Sequence, residues 1–355
     1  MSYTFEEATF QIDFNLAPAP IAAEAFIPYI LVEDPELPTN DYVTIFSPDD
    51  AEDAYSDYTK QLIQDAFRQR QSTAFRLVGV DALGGEADPG DNYIEALDEV
   101  RQDNFVTLIS ADTSEEAELD ALALACEALG IVLVAQTEAS GVKEGAQTVF
   151  DTNEEFIVPI EVVEGGPAEK PYAPLALIRN MAIDVDEESR SFQTRLVGVE
   201  ETGVDEGEYN ILTGENWNVL INNRAGHTWL KEGKTISGRL VDEIVAVQVF
   251  KVRYIEAVMR LFDEYDAANE KLPVDTTGQE ILGGEGSAVY SRLADAGHFV
   301  TGGFSDTDEN DDLPPITDQD VENGKIPIAF TITTQSGAVN VRGNVDAERQ
   351  TFEEN

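Results

Sequence analysis

A run of alternating residues tied to a stiff proline link opens this chain and restricts what it can build. Thr9-Phe10-Gln11-Ile12-Asp13-Phe14-Asn15-Leu16 alternates polar and apolar residues without a break. That period places Phe10, Ile12, Phe14 and Leu16 on one face of a β-strand. Ala17-Pro18-Ala19-Pro20 follows, an extended stretch that cannot turn back as a tight hairpin. The strand is therefore expected to pair far away in sequence. It either closes its own domain's sheet or adds to the sheet edge of a neighbouring molecule, where backbone hydrogen bonds link subunits. Near the other end Ile326, Ile328, Phe330 and Ile332 alternate, and then Val339, Val341 and Val345 do. Neither end is expected to belong to a local hairpin.

The charge is as one-sided as the ends are regular. Asp and Glu number 70 against 22 Lys and Arg, a net charge of −48, and no basic residue precedes Lys60. Hydrophobic residues make up 42% of the chain and aromatic residues 8%, enough to build cores and too much for a disordered acidic tail. Such a surface repels itself, and the screening length shrinks to about 3 Å only near 1 M salt. A folded protein from a molar-salt environment is the expectation. Direct nucleic-acid binding and anionic membranes are disfavoured, since both call for clustered Lys and Arg. Met1–Glu7 lacks a basic region followed by an apolar core, so no signal peptide is expected. No apolar run approaches the roughly 18 residues that span a bilayer. Cys126, the single cysteine, lies in an apolar run and reads as a buried small hydrophobe.

The fold class expected is mixed: an α/β sheet domain, then a second α+β domain with long helices and strands, with extended strand arms at both ends. The boundaries are an N-terminal linker arm at 1–22, the α/β domain at 23–165, the second domain at 166–330 and a C-terminal strand arm at 331–355. Ser47-Pro48-Asp49-Asp50 starts a helix to about Arg70. Residues 74–80 form a strand, 91–102 a helix and 105–109 a buried strand. Thr113-Ser114-Glu115-Glu116 opens a helix that Gly130 stops after Leu129, and 131–135 is a strand. This alternation argues for a largely parallel sheet. Beyond residue 165 the pattern gives a short helix at 175–182, a strand at 218–222 and a hairpin joining 228–230 to 235–237 around Glu232-Gly233. Residues 239–270 form the longest helix, and a second, capped by Thr277, runs with a glycine-rich interruption to Ala296.

Chemistry is sparse. His227 and His298 have no nearby ligand partner at metal-binding spacing, and no GxSxG motif occurs. Gly79–Gly85 and Gly283–Gly286 lack the Lys-Ser/Thr of a phosphate loop and read as turns. Asp306–Asp312 begins like a calcium loop and then fails at its sixth and twelfth positions, Asp311 and Thr317. No catalytic, cofactor-binding or metal residues are expected, and no cofactor. Lys251, Arg253, Arg260 and Lys271 stand out on the long helix. They either pair locally with Glu256, Asp263 and Glu264 or face a neighbour's acids across an interface.

The segment Asn223–Gly238, with its Gly233-Lys234-Thr235-Ile236-Ser237-Gly238 run, is followed by Arg239–Ile244 and the long helix. It resembles contractile tail sheath proteins of tailed viruses and related injection machines, and the order of elements from Asp49 to Ala135 is similar too. The resemblance implies a non-enzymatic structural subunit that polymerises in stacked rings of six around an inner tube. It also implies terminal strands that add to neighbours' sheets, with Pro18 and Pro20 as tether. Its partners would be further copies of itself, the tail tube protein, and baseplate and tail terminator proteins. Its place would be a virion tail, assembled in the host cytoplasm, here of an extreme halophile, and its role genome ejection by an archaeal virus. The alternative from another class is a halophilic α/β enzyme or small-molecule binding protein, with its ligand at the carboxyl ends of the strands.

Overall fold

The computed structural model describes residues 8–12, 27–69, 74–81, 88–103, 107–138, 140–143, 150, 156–161, 172–181, 189, 191–223, 226–307, 313–334 and 338–346. The chain separates into two compact units. One comprises Met1–Ala22, Val185–Ser189 and Val245–Asn355, and the other Ala23–Asp184 and Arg190–Ile244. The division differs from the boundaries the sequence suggests. Residues 190–244 join the α/β unit, and both termini join the second unit.

The chain's first strand, β1 (Ala8–Ile12), belongs to the second unit. The α/β unit begins with β2 (Tyr29–Val32) and β3 (Tyr42–Ile45). Ser47 and Asp50 do form a capping box, but it closes a single 3-10 turn at Pro48–Asp50. The expected helix starts later, as α1 (Asp57–Gln69), where Ser56 Oγ accepts the Thr59 N–H at 3.1 Å. Then come β4 (Phe75–Gly79), α2 (Asp91–Asp103) and β5 (Leu108–Ala111). Next are α3 (Glu116–Leu129), β6 (Val132–Thr137), α4 (Ser140–Lys143), β7 (Ile157–Glu161) and α5 (Tyr172–Met181). The residue preceding α3 is Glu115 rather than Thr113. Thr113 Oγ1 instead accepts the Glu115 N–H and donates to Glu118. Gly130 ends α3 in the left-handed region at φ 66°, its N–H on the Cys126 and Glu127 carbonyls.

The six strands lie in the order β3-β4-β2-β5-β6-β7, all parallel except β3, which is antiparallel to β4 at the edge. Tyr29, Leu31, Val78, Ile109 and Leu133 form one core with Tyr93, Ala96 and Leu97 of α2 and Leu119, Leu122 and Cys126 of α3. Helices α1 and α5 pack on each other and α5 on β5 and β6, apart from that core, and so take the opposite face.

The remainder of this unit is β8 (Arg195–Leu196), α6 (Glu206–Gly214), β9 (Leu220–Asn222) and β10 (Thr228–Leu230), with the strands in the order β8-β10-β9. The expected hairpin is absent. Glu232 and Gly233 turn at positive φ, but β10 pairs with β8 and β9, and the Ile236 N–H donates to Ile157 O on β7.

Helix α7 (Val241–Ala267) carries the chain into the second unit. There follow α8 (Thr276–Asp295), β11 (Phe304–Ser305), α9 (Asp318–Glu322), β12 (Lys325–Thr333) and β13 (Ala338–Asp346). Asp275, not Thr277, caps α8, accepting from Thr277 N and Gly278 N. The glycines do not interrupt α8. Gly286 lets the helix approach β12 and β11, where a Cβ would lie 3.0 Å from Phe330 and 3.2 Å from Phe304. No described helix is long and apolar enough to cross a membrane.

Candidate assembly interface

The sheet of the second unit has the order β1-β13-β12-β11. Its anchor is β12, whose alternation buries Ile326, Ile328, Phe330 and Ile332. The Phe330 ring meets Tyr254 at 5.0 Å, Phe304 at 5.5 Å and Phe250 at 5.9 Å between centroids. Gln279 of α8, itself buried, donates to the carbonyls of Pro327 at 2.8 Å and Pro314 at 2.9 Å.

The second alternating run is not a free arm. Strand β13 pairs antiparallel with β12 from Lys325↔Asp346 to Thr333↔Ala338, a local hairpin. This corrects the expectation of unpaired ends and moves residues 331–333 into β12. In register, Val339 faces Ile332, Val341 faces Phe330 and Val345 faces Ile326. On its other side β13 takes β1 in parallel, Ala8↔Val341 through Ile12↔Val345, with Phe10 opposite Gly343. So β1 is an edge strand held by β13, from the far end of the same chain. Phe14, Leu16, Pro18 and Pro20 lie outside the described residues.

The four basic residues separate. Arg253 is only 7% exposed and holds Glu256 at 2.8 Å, one helical turn away. Arg260, its side chain 68% exposed, reaches Glu285 of α8 at 3.7 Å rather than Asp263 or Glu264. Lys251 is half-buried. Lys271 is exposed and lies beyond the end of α7, not on it.

The α/β unit offers the other site a sequence of this type suggests. Its parallel strands reverse their order between β2 and β5, the usual place for a ligand crevice. Here the crevice is stitched by the chain itself. Asp112, just past β5, accepts the Glu33 N–H at 2.9 Å and the Tyr93 hydroxyl at 2.7 Å. Burial pushes its carboxyl up to about 6. Asp34 is also buried, which alone would raise its pKa. Bonds from Thr59 at 2.5 Å, Ser56 N at 2.8 Å and Glu36 N at 3.1 Å outweigh that and hold it below the ordinary value.

At the end of β7 the fully buried Glu161 meets Lys143 Nζ at 2.6 Å. Cys126 is buried in the core, and burial pushes its thiol up. His298 is buried and His227 half-buried. Among the described residues no group of three or more His, Cys, Asp or Glu is placed to hold a metal ion. Gly84, Gly85 and residues 308–312 lie outside them.

Sequence reasoning missed Asn218. It is fully buried, and its side-chain amide donates to Pro159 O and Lys234 O and accepts from Lys234 N. With the Ile160↔Asn218 bridge and the Ile236 N–H on Ile157 O, it covers the β7 edge with chain from the 218–236 segment.

No family model matches the sequence, and no curated protein matches it. Solved structures do. A chain of the anti-feeding prophage baseplate, six-fold symmetrised, is similar over 100% of this chain and 96% of its own, at TM-score 0.62 and 12% identity. The sheath tail protein of Listeria innocua is similar over 96% of this chain and 100% of its own, at TM-score 0.60 and 10% identity. That of Desulfitobacterium hafniense covers 98% and 100%, at TM-score 0.55 and 11% identity. The chain thus has the α/β-plus-α+β fold of contractile tail sheath proteins along its whole described length.

Proposed function

We propose that this chain is a structural subunit of a contractile tail sheath. The observation that carries the proposal is the end-to-end match to two sheath tail proteins and to a chain of a contractile machine's baseplate. The position of β1 supports it. An edge strand on a proline link, paired with a strand from the opposite terminus, is suited to exchange between copies. In this reading subunits stack as rings of six around a tail tube. Baseplate and terminator proteins close the stack, and repacking at the other interfaces drives contraction while the strand links persist. Arg260 and Lys271 are the basic groups able to meet a neighbour's acids. At −48 per copy, such stacking calls for strong screening. In this reading the charge is an adaptation to a salt-rich host, and the source is an archaeal virus.

The α/β enzyme reading is weaker, because Asp112 closes the strand-order reversal with the chain's own donors. Electron microscopy of the purified chain in about 3 M salt, where screening is nearly complete, tests the proposal. Hollow tubes or stacked rings that vanish when residues 1–16 are removed, and that disperse on dialysis to dilute buffer, are expected. Discrete particles unaffected by the truncation would count against it.

A further inference from the structure

The α/β sheet has two edges, and the chain treats them differently. The β7 edge is covered by backbone from Asn218 and Ile236. The β3 edge has no such cover among the described residues. The Arg76 and Val80 N–H groups of the β4 segment reach Pro28 O and Val32 O on the β2 side, and the Gly79 N–H reaches Asp41 O on the β3 side. Alternation along an antiparallel pair then turns Asp41, Val43 and Ile45 toward β4 and points the main-chain groups of Tyr42, Thr44 and Phe46 outward.

Two of those outward donors are already taken. Asp41 Oδ1 accepts the Tyr42 N–H at 2.7 Å, and Asp50 Oδ2 accepts the Phe46 N–H at 2.7 Å. Asp50 also accepts the Ser47 N–H at 2.9 Å and the Ser47 hydroxyl at 3.2 Å, so the turn that carries it is fixed. Phe46, at the end of the strand, is 70% exposed. An open edge ending in an exposed aromatic residue is a template for another strand.

We propose that Asp41 and Asp50 close the free edge of β3 against strand addition by a second copy of this chain. Antiparallel self-pairing centred on Thr44 would set Tyr42 of one copy against Phe46 of the other. Both donors would have to give up their carboxylates. The Asp41 and Asp50 side chains of the two copies would also come together, and like charges across a strand pair repel. The device directs strand exchange away from the α/β sheet. It holds whether or not the chain is a sheath subunit.

The test uses the full chain carrying Thr44→Cys, with the buried Cys126 as the only other thiol, and a bifunctional maleimide. Adding Asp41→Ala and Asp50→Ala is expected to raise the cross-linked dimer several-fold at equal concentration and salt. Asp50→Ala alters the 3-10 turn, so Asp41→Ala alone is run beside it, and a cooperative urea transition confirms that each variant is folded. Cross-linking at the same level with and without the aspartates, in both the double and the Asp41→Ala variant, overturns the proposal.

Discussion

Asn218 grips Lys234 with both halves of its side-chain amide, donating to the Lys234 carbonyl at 2.7 Å and accepting its N–H at 3.0 Å. The same nitrogen donates to Pro159 O at 2.9 Å. One side chain therefore ties the β7 edge to the loop that precedes α7. Asn218→Leu keeps the branched shape and leaves the Lys234 N–H and carbonyl without their partner, while Pro159 O keeps the Asn218 backbone N–H. A loss of about 2–4 kcal/mol is expected, read as a lower urea midpoint with unchanged slope.

Two glycines of α8 give opposite expectations. A Cβ at the exposed Gly284 meets nothing within 4 Å, so Gly284→Ala should raise stability by about 1 kcal/mol. At Gly286 the new methyl would press on the Phe330 and Phe304 rings, and Gly286→Ala should cost about 1–3 kcal/mol. Thermal unfolding of the two variants side by side checks the contrast.

Lys143→Met removes the cation from a fully buried Glu161. A loss of about 3 kcal/mol is expected, the usual penalty for breaking a buried pair from one side. Adding Glu161→Leu should recover much of it, so denaturation of the single and double variants separates the charge from the packing.

Asp112 and Asp242 both have carboxyls raised to about 6, chiefly by burial. Asp242 stands at the start of α7 and accepts the Phe192 N–H at 2.5 Å. A carboxyl raised in the folded state binds its proton there first. Its stabilising contribution is complete below the unfolded value near 4, declines as pH climbs toward 6, and is gone above that. Relative to Asp112→Asn or Asp242→Asn, the parent chain should therefore gain stability as pH falls from 7 to 4. Urea titrations at four pH values in one salt give the slope.

The alternation between Phe75 and Thr137 was legible because caps, a stop glycine and apolar periods agreed there. The edge and central strands were not. Tyr29–Val32 is four apolar residues after a proline, too short to show a period. Ile157–Glu161 carries Pro159, which usually argues against a strand. The structure accepts it because the missing N–H falls on the side away from β6, where Asn218 N donates to Pro159 O. Residues 190–244 read as part of the second domain because their bonds to the α/β unit are distant in sequence. Gln69, for example, exchanges two hydrogen bonds with Val197.

At the candidate interface, both alternating runs were visible, and so was the face of β12. The hairpin between them has its own signal, since only four residues separate Thr333 from Ala338, a length that favours a hairpin. The parallel partner of β1 had no local signal at all.

That partner sets an order of events. Strand β1 leaves the ribosome more than 300 residues ahead of its partner β13. Until β13 emerges β1 lacks this mate, and pairing the two is a highly non-local step. In the proposed strand-exchange reading, a newly made β13 would compete for β1 with the β13 of every finished neighbour. The contest is decided by effective concentration and by the reach of the proline link. If the strand exchanges as proposed, dilute chains would close on themselves and crowded chains on each other.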